Sequence, residues 1–227
     1  MNTLVLFDID GTLLDTHGAG RRSFMRAVER AFGFADDLAG LTFAGATDLD
    51  LVEQLARRNG RAIEPHETEA FFELLPALLR EELRREAPHV YPGVSELLHA
   101  LGEQPGVTLG LVTGNIEACA WVKLEACGIH EHFELGAFGH EHADRCEIAR
   151  LARRRAERDG AYARCVLIGD TPSDIRAAHA IGATAIAVAT GGYGAENLSA
   201  AGAHHVFSTL GDIPSVLRTI GFEGPLA

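Results

Sequence analysis

Residues 7–16 read FDIDGTLLDT, directly after the apolar run Leu4-Val5-Leu6. A short apolar run with almost no alternation is the pattern of a strand buried on both faces, and this one ends in two acids one residue apart, Asp8 and Asp10. Within a strand those acids would point to opposite faces. At its end, with Gly11 turning the chain behind them, both can converge on one mouth. The stretch therefore predicts a strand that delivers carboxylates to a site rather than to a surface.

Runs of the same character recur at 107–113, 134–138, 164–170, 183–189 and 203–207, and with 3–8 they give six strand candidates separated by helical stretches. That rhythm requires a parallel sheet covered on both faces. Between the first strand and the second the rhythm breaks into helix after helix: RRSFMRAVERAF (21–32), DLDLVEQLARRNG (48–60) and HETEAFFELLPALLREELRRE (66–86). Pro76 is expected to kink or restart the last of these. The expected fold is α/β: a doubly wound, mostly parallel, Rossmann-like sheet formed by 1–15 and 88–227, with an α-helical cap, 16–87, inserted in the first βα connection. A flexible joint from Asp15 to Gly18 and the proline-bracketed PHVYPG, 88–93, would be its hinges.

Composition narrows the partners. The formal net charge is −12, and no sustained basic stripe offsets it, which argues against a protein that tracks nucleic acid or an anionic membrane. The arginine-dense ARLARRRAERDG (149–160) reads as a solvated helix face. No basic segment followed by an apolar run precedes Phe7, and no apolar run approaches membrane-spanning length, so a soluble cytoplasmic protein is the expectation. Cys119, Cys127, Cys146 and Cys165 form no CxxC pair and are expected to be reduced, mostly buried packing residues.

In open α/β sheets ligands bind outside the carboxyl ends of the strands. Strand one ends in Asp8, the strand at 107–113 runs into Thr113-Gly114-Asn115, and the strand at 164–170 ends in Asp170, followed by Thr171-Pro172-Ser173-Asp174. FDIDGTLLDT, LVTGN (111–115) and IGDTPSD (168–174), in that order, resemble the first, second and fourth motifs of the haloacid dehalogenase superfamily. YPGVSELLHAL (91–101) resembles the family's return to the core. The resemblance spans the chain and is nearest to phosphoglycolate phosphatase-like members with a helical cap.

The resemblance implies a phosphatase acting on a small phosphorylated metabolite with Mg²⁺ as cofactor. Asp8 would be the nucleophile that forms an aspartyl-phosphate. Asp8, the main-chain carbonyl of Asp10, and Asp170 would hold the Mg²⁺, a hard cation that prefers oxygen. Asp10 would be the general acid and then the base. Family members that dehalogenate carbon lack this second aspartate, so its presence sides with phosphate. Thr113, Gly114 and Asn115 would hold the phosphoryl oxygens, helped by backbone amides at Gly11 and Thr12. Asn115 could equally cap the helix that follows.

One departure stands out. The family's third motif is a lysine that neutralises nucleophile and phosphate, yet the only lysine here is Lys123, which is expected on the surface of the helix after LVTGN. Arg145 stands 25 residues before Asp170 (170 − 145), roughly where the family places its cation, and is assigned that role. Its bland reading is a solvated arginine at a helix start. Asp174 would support the cation from behind its direct ligands, although Thr171, Pro172 and Asp174 also spell an ordinary helix start with a capping box.

The cap would set specificity. His17, Arg21 and Arg22 could approach a small anionic substrate, and AGATD (44–48) resembles the family's loop into the site, with Ala46 where a larger or basic residue is common. His130, His132, His140 and His142 occur as two HxH pairs; capping or solvent exposure outweighs a structural transition-metal site, and His140 or His142 could contact substrate. Three other readings compete with the phosphatase. They are a phosphomutase of the β-phosphoglucomutase type, a phospho-accepting signalling module, and a catalytically idle binder of phosphorylated ligands.

Overall fold

In the computed structural model, which describes residues 2–222, β1 (Thr3–Phe7) forms at TLVLF because its alternate residues serve two different cores. Val5 and Phe7 enter one and Leu4 and Leu6 the other, all of them fully buried. Residue 1 and residues 223–227, which belong to the expected core range, lie outside the described residues. The remaining elements in chain order are β2 (Leu14–Asp15), α1 (Ala19–Phe32), α2 (Asp48–Arg58), α3 (Pro65–Arg85), β3 (His89–Val90), α4 (Val94–Gly102), β4 (Val107–Val112) and α5 (Glu117–Ala126). They are followed by β5 (Leu135–Ala137), α6 (Arg145–Ala156), β6 (Arg164–Gly169), α7 (Pro172–Ala180), β7 (Thr184–Val188), α8 (Ala195–Ala200), β8 (His205–Phe207) and α9 (Ile213–Ile220).

The main sheet runs β5-β4-β1-β6-β7-β8 with every pair parallel. Helices α4, α5 and α9 cover one face, and α6, α7 and α8 the other. This is the doubly wound α/β arrangement the apolar runs call for, with all six strand candidates present and their ends shifted by at most two residues. Among the described residues no helix is long and apolar enough to cross a membrane. Of the four free cysteines only Cys119 is buried; Cys127, Cys146 and Cys165 are half-buried, less enclosed than their sequence context suggests.

Register sets the site. Phe7 lies level with Leu111 of β4 and with Ile168 of β6, and the Asp8 amide donates to the Ile168 carbonyl at 2.9 Å. The residues just past these strands, Asp8, Thr113 and Asp170, therefore emerge side by side on one rim.

Helices α1, α2 and α3 build a third core from Phe24, Phe32, Leu51, Leu55, Phe71 and Leu79. Phe71 is its centre, with ring centroids 4.8 Å from Phe24 and 5.2 Å from Phe32. Of the two outcomes expected at Pro76, a kink or a restart, the structure shows no restart: α3 is a single helix that runs through it. Buried neighbours on either side, Phe71, Leu75, Leu78 and Leu79, anchor both halves of the helix in the same core. That packing outweighs the backbone hydrogen bond that proline removes.

The two connections between this helical segment and the sheet are also more ordered than a flexible joint. Strands β2 and β3 pair antiparallel, Leu14 with Val90 and Asp15 with His89, so the outgoing and returning chains are hydrogen-bonded to each other. A two-residue strand has no periodicity to read, which hides it in the sequence.

Candidate active site

Asp8 and Arg145 meet at the rim. Arg145 opens α6, where the Asp144 side chain caps the helix by accepting from the Cys146 amide at 2.8 Å. From there the guanidinium, only 6 % exposed, reaches the Asp8 carboxylate with Nη2 at 2.7 Å from Oδ1. The same Nη2 lies 2.7 Å from Asp174 Oδ1, Nε donates to that oxygen at 2.8 Å, and Nη2 also donates to the Val112 carbonyl at 3.2 Å. The charge thus bridges strand β1 and helix α7. Burial alone would weaken the hold of Arg145 on its proton, but the Asp174 and Asp8 carboxylates outweigh it and the pKa rises.

Asp174 does both things its sequence context allows. Its Oδ2 accepts from the Thr171 amide at 3.0 Å and from the Thr171 hydroxyl at 2.6 Å, closing the capping box at the start of α7. Its Oδ1 holds Arg145. Asp170, 3 % exposed, accepts from the Thr12 hydroxyl at 3.3 Å and is pressed between Gly11 and Gly191, where any side chain would strike its carboxylate. Gly11 has φ 80°, the left-handed conformation suited to glycine, and its carbonyl accepts from Thr190 Oγ1.

One oxygen each from Asp8, Asp170 and Asp174 lies within 4.8 Å of the others. Three buried carboxylates face one guanidinium. Burial is the main cause that pushes Asp8 upward, partly offset by Arg145; burial followed by the Asp174 and Asp8 charges pushes Asp170 upward. An excess of buried negative charge with hard oxygen donors is what a divalent cation such as Mg²⁺ or Ca²⁺ relieves, so the residues fit a metal of that class. Asp170 and Asp8 keep oxygens for it, whereas both oxygens of Asp174 are already engaged.

Asp10 turns the other way, into a contact the sequence reading did not foresee. Lys123, expected on a surface, is 3 % exposed and its Nζ lies 2.6 and 2.8 Å from the two Asp10 oxygens. The same Nζ donates to Asn115 Oδ1 at 2.6 Å, while Asn115 Nδ2 donates to Asp10 Oδ2 at 2.7 Å and to Thr113 Oγ1 at 2.8 Å. The correction has a clear cause. Helix α5 is covered on both sides, Ala120 and Leu124 facing the sheet core and Cys119 and Val122 the helical segment, so it offers no wet face at position 123. A lone lysine in the apolar stretch AWVKLEA was the available signal. Burial opposes its charge, but Asp10 outweighs that and raises its pKa.

Residues 44–48 dock on this rim. The Asp48 amide donates to the Gly114 carbonyl at 2.7 Å, its carboxylate accepts from the Ile116 amide at 2.8 Å, and Thr47 Oγ1 donates to the Ala143 carbonyl at 3.0 Å. Desolvation raises the Asp48 pKa to about 6 despite the Ile116 hydrogen bond and nearby Lys123. Gly114 is required here because the Ala46 carbonyl lies against its α-carbon.

Rim and helical segment together enclose a cavity of about 450 Å³, lined by Asp8, Asp10, Thr113, Lys123 and Arg145 below and by Arg21, Phe24, Phe43 and Leu79 above. Of the cations expected there from the helical segment, only Arg21 lines it. Arg22 is drawn to Glu82 at 2.9 Å, and His17 packs against His89 with ring centroids 4.9 Å apart. His140 Nδ1 accepts weakly from the Glu117 amide at 3.4 Å and His142 Nδ1 accepts from the Asp144 amide at 2.9 Å. Among the described residues, none of His130, His132, His140 and His142 joins a metal-holding cluster.

Residues 5–188 match the haloacid dehalogenase-like hydrolase family, and the chain belongs to it. It is 32 % identical to the probable phosphatase IndB of Dickeya dadantii, with 94 % of this chain and 92 % of the relative aligned. It is also 32 % identical to a phosphoglycolate phosphatase of Agrobacterium fabrum, covering 84 % of this chain and 82 % of that one. Among solved structures, CbbY from Rhodobacter sphaeroides in complex with phosphate shares the fold with a TM-score of 0.71 at 24 % identity over 94 % of this chain and 96 % of that one. By family and by these relatives, the chain is an enzyme, a hydrolase of the phosphatase type.

Proposed function

We propose that this enzyme is a Mg²⁺-dependent phosphatase that hydrolyses a small phosphorylated metabolite, phosphoglycolate-like or a sugar phosphate, through an aspartyl-phosphate on Asp8. The observation that carries the reading is the meeting of Asp8, Asp170 and Arg145 beneath a cavity of metabolite size. Bound Mg²⁺ would be held by Asp8, the Asp10 main-chain carbonyl and Asp170 and would offset the negative charge of the phosphoryl oxygens.

Within that frame each residue has a task. Arg145 holds the Asp8 carboxylate in one orientation through its fork to Asp174, so Asp8 Oδ is fixed as it bonds to phosphorus while the bond from phosphorus to the leaving oxygen breaks. The leaving oxygen takes a proton from Asp10. In the second half-reaction Asp10 takes a proton from the water that cleaves the acyl phosphate, which returns both aspartates to their starting state. Lys123 and Asn115 hold Asp10 at the cleft mouth, where its side chain is 43 % exposed and within reach of water. Thr113 Oγ1 and the amides at Gly114 and Asn115 bind phosphoryl oxygens. The Gly11 and Thr12 amides, expected to join them, are instead spent within the turn on the Leu14 and Ile9 carbonyls at 3.1 and 3.3 Å. Helices α1 to α3 act as the cap, and Arg21 is the cation they present to the part of the substrate beyond the phosphate. The free cysteines suit the reducing cytoplasm as its place of work.

The test is hydrolysis of an aryl phosphate by the purified protein. Turnover is expected only with Mg²⁺ and is lost in Asp8→Asn, which keeps the fold. Full activity in that variant, or indifference to a chelator, refutes the mechanism. A screen with phosphoglycolate and sugar phosphates then identifies the substrate, and release of isomerised phosphosugar with little free phosphate would reassign the enzyme as a mutase.

A further inference from the structure

The strands that join cap to core carry a cluster that the catalytic site does not use. Asp15 ends β2, His17 follows it, and His89 begins β3 directly opposite Asp15 in the antiparallel register. One ligand atom from each of Asp15, His17 and His89 lies within 4.8 Å of the other two. His17 Nε2 and His89 Nδ1 face each other at 3.2 Å. Two nitrogens bound to one tetrahedral zinc at about 2.05 Å would stand about 3.3 Å apart, so the two rings already have the spacing of a shared ion.

The backbone is set for this arrangement. His17 has φ 51°, a left-handed conformation that is uncommon outside glycine. Asp15 Oδ1 stabilises it by accepting from the His17 amide at 2.8 Å, and Arg22 Nη1 donates to the His17 carbonyl at 2.6 Å. With Oδ1 occupied, Asp15 Oδ2 is left as the ligand oxygen; it lies 3.8 Å from His17 Nδ1, on the ring whose Nε2 faces His89. The Arg22 charge is met by Glu82 at 2.9 Å and Glu86 at 3.9 Å, so it does not oppose a cation nearby. His17 and Asp15 side chains are 35 % and 41 % exposed, which gives a metal ion free entry.

We propose that Asp15, His17 and His89 bind a transition-metal dication of the zinc class and thereby staple the two cap-to-core strands together. Two imidazoles with one carboxylate select this class over Mg²⁺, whose site is the all-oxygen cluster at Asp8 and Asp170. Three protein ligands leave a fourth tetrahedral position for water. Because Asp15 ends the outgoing strand, His17 lies two residues beyond it and His89 sits on the returning strand, a bound ion resists any motion that slides β2 past β3. On the reading of α1 to α3 as a cap, that motion accompanies opening, and the metal would slow turnover.

The test is a titration of metal-stripped protein with Zn²⁺ against a chromophoric chelator, with saturating Mg²⁺ present to fill the acidic cluster. The expected result is one equivalent bound with micromolar or tighter affinity, weakened at least about tenfold in both His17→Ala and His89→Ala and unchanged in Asp8→Asn. Hydrogen exchange at the β2 and β3 amides should slow on adding Zn²⁺ to the wild type and not to His89→Ala. Circular dichroism checks that the histidine variants are folded, as substitution at exposed positions predicts. Wild-type affinity no better than that of His89→Ala, or binding lost in Asp8→Asn but kept in His89→Ala, overturns the proposal. Neither readout depends on turnover, so failure of the phosphatase reading and failure of this one are distinguishable.

Discussion

Adding Mg²⁺ to the metal-free enzyme should raise its melting temperature, and the size of the rise should depend on pH in a direction the site dictates. Asp8 and Asp170 are buried with one guanidinium between them and Asp174, and burial with mutual repulsion lifts both above the ordinary aspartate value of 3.8. A carboxylate whose folded pKa is raised binds protons more tightly in the folded state than in the unfolded one. Its favourable contribution is therefore complete below the unfolded value and is lost as pH rises through the folded one. The metal-free protein should thus weaken steadily from mildly acidic to alkaline pH. Mg²⁺ needs these carboxylates deprotonated, so its stabilisation should grow over the same interval. At a Mg²⁺ concentration about 100 times the dissociation constant, linkage gives about 2.7 kcal/mol. For a chain of this length that is a rise of about 5–10 °C. Differential scanning fluorimetry at about pH 6 and about pH 8.5, with and without Mg²⁺, measures both effects across the interval of raised titration. Asp170→Asn removes one uncompensated charge and one ligand together. It should stabilise the metal-free protein at alkaline pH by about 1–3 kcal/mol and abolish the Mg²⁺ increment. An increment that survives in Asp170→Asn, or one that is the same at both pH values, would sink the idea that these acids hold the cation.

Lys123→Met should lower kcat by about 10²-fold or more, the range of general acid–base contributions, because Asp10 loses the cation that places it. The stability loss should be small, about 1 kcal/mol, since Asp10 is 43 % exposed and water can replace the ammonium; a kcat within about twofold of wild type would remove Lys123 from the machinery. Phe71→Ala, at the centre of the helical segment, should cost about 3–5 kcal/mol in urea denaturation, with activity at low temperature reduced in proportion to the folded fraction. A loss under about 1 kcal/mol would mean the α1 to α3 core does not rest on that ring.

How much of this was legible in sequence depends on what each residue's environment demanded. The strand at Thr3–Phe7 was readable because burial on both faces forbids polar residues for its whole length, leaving Asp8 conspicuous at the end. Arg145 was picked out by the family resemblance, from its place 25 residues before Asp170 (170 − 145), and it opens α6 with its side chain against Asp8. Lys123 was not, because the reading assumed that a charged residue on a helix faces water. That assumption fails when a second domain-sized layer covers the helix, and only the packing of Cys119 and Val122 against α1 to α3 discloses that layer. The paired joints were hidden for the opposite reason: two residues per strand carry no pattern at all.

The arginine that stands where the family resemblance expects a lysine also has a geometric reason. Four acceptor contacts converge on Arg145: Asp8 Oδ1, Asp174 Oδ1 from two nitrogens, and the Val112 carbonyl. A planar fork meets these three oxygens from two rigidly spaced nitrogens, Nε and Nη2, whereas a lysine ammonium would have to reach them all from one point at the end of a flexible stem. Removing the guanidinium would leave two buried carboxylates, Asp8 and Asp174, without their shared cation, so Arg145 and Asp174 act as a unit that fixes Asp8. The compact ammonium is found instead at Asp10, where its three donors are used by two carboxylate oxygens and Asn115 Oδ1 in one small space. Asp8 and Asp10 therefore each have their own cation, delivered by a different helix. Buried oxygens that lie in different directions are held by a planar fork, and the carboxylate at the cleft mouth is held by a compact ammonium that Asp10 itself keeps charged.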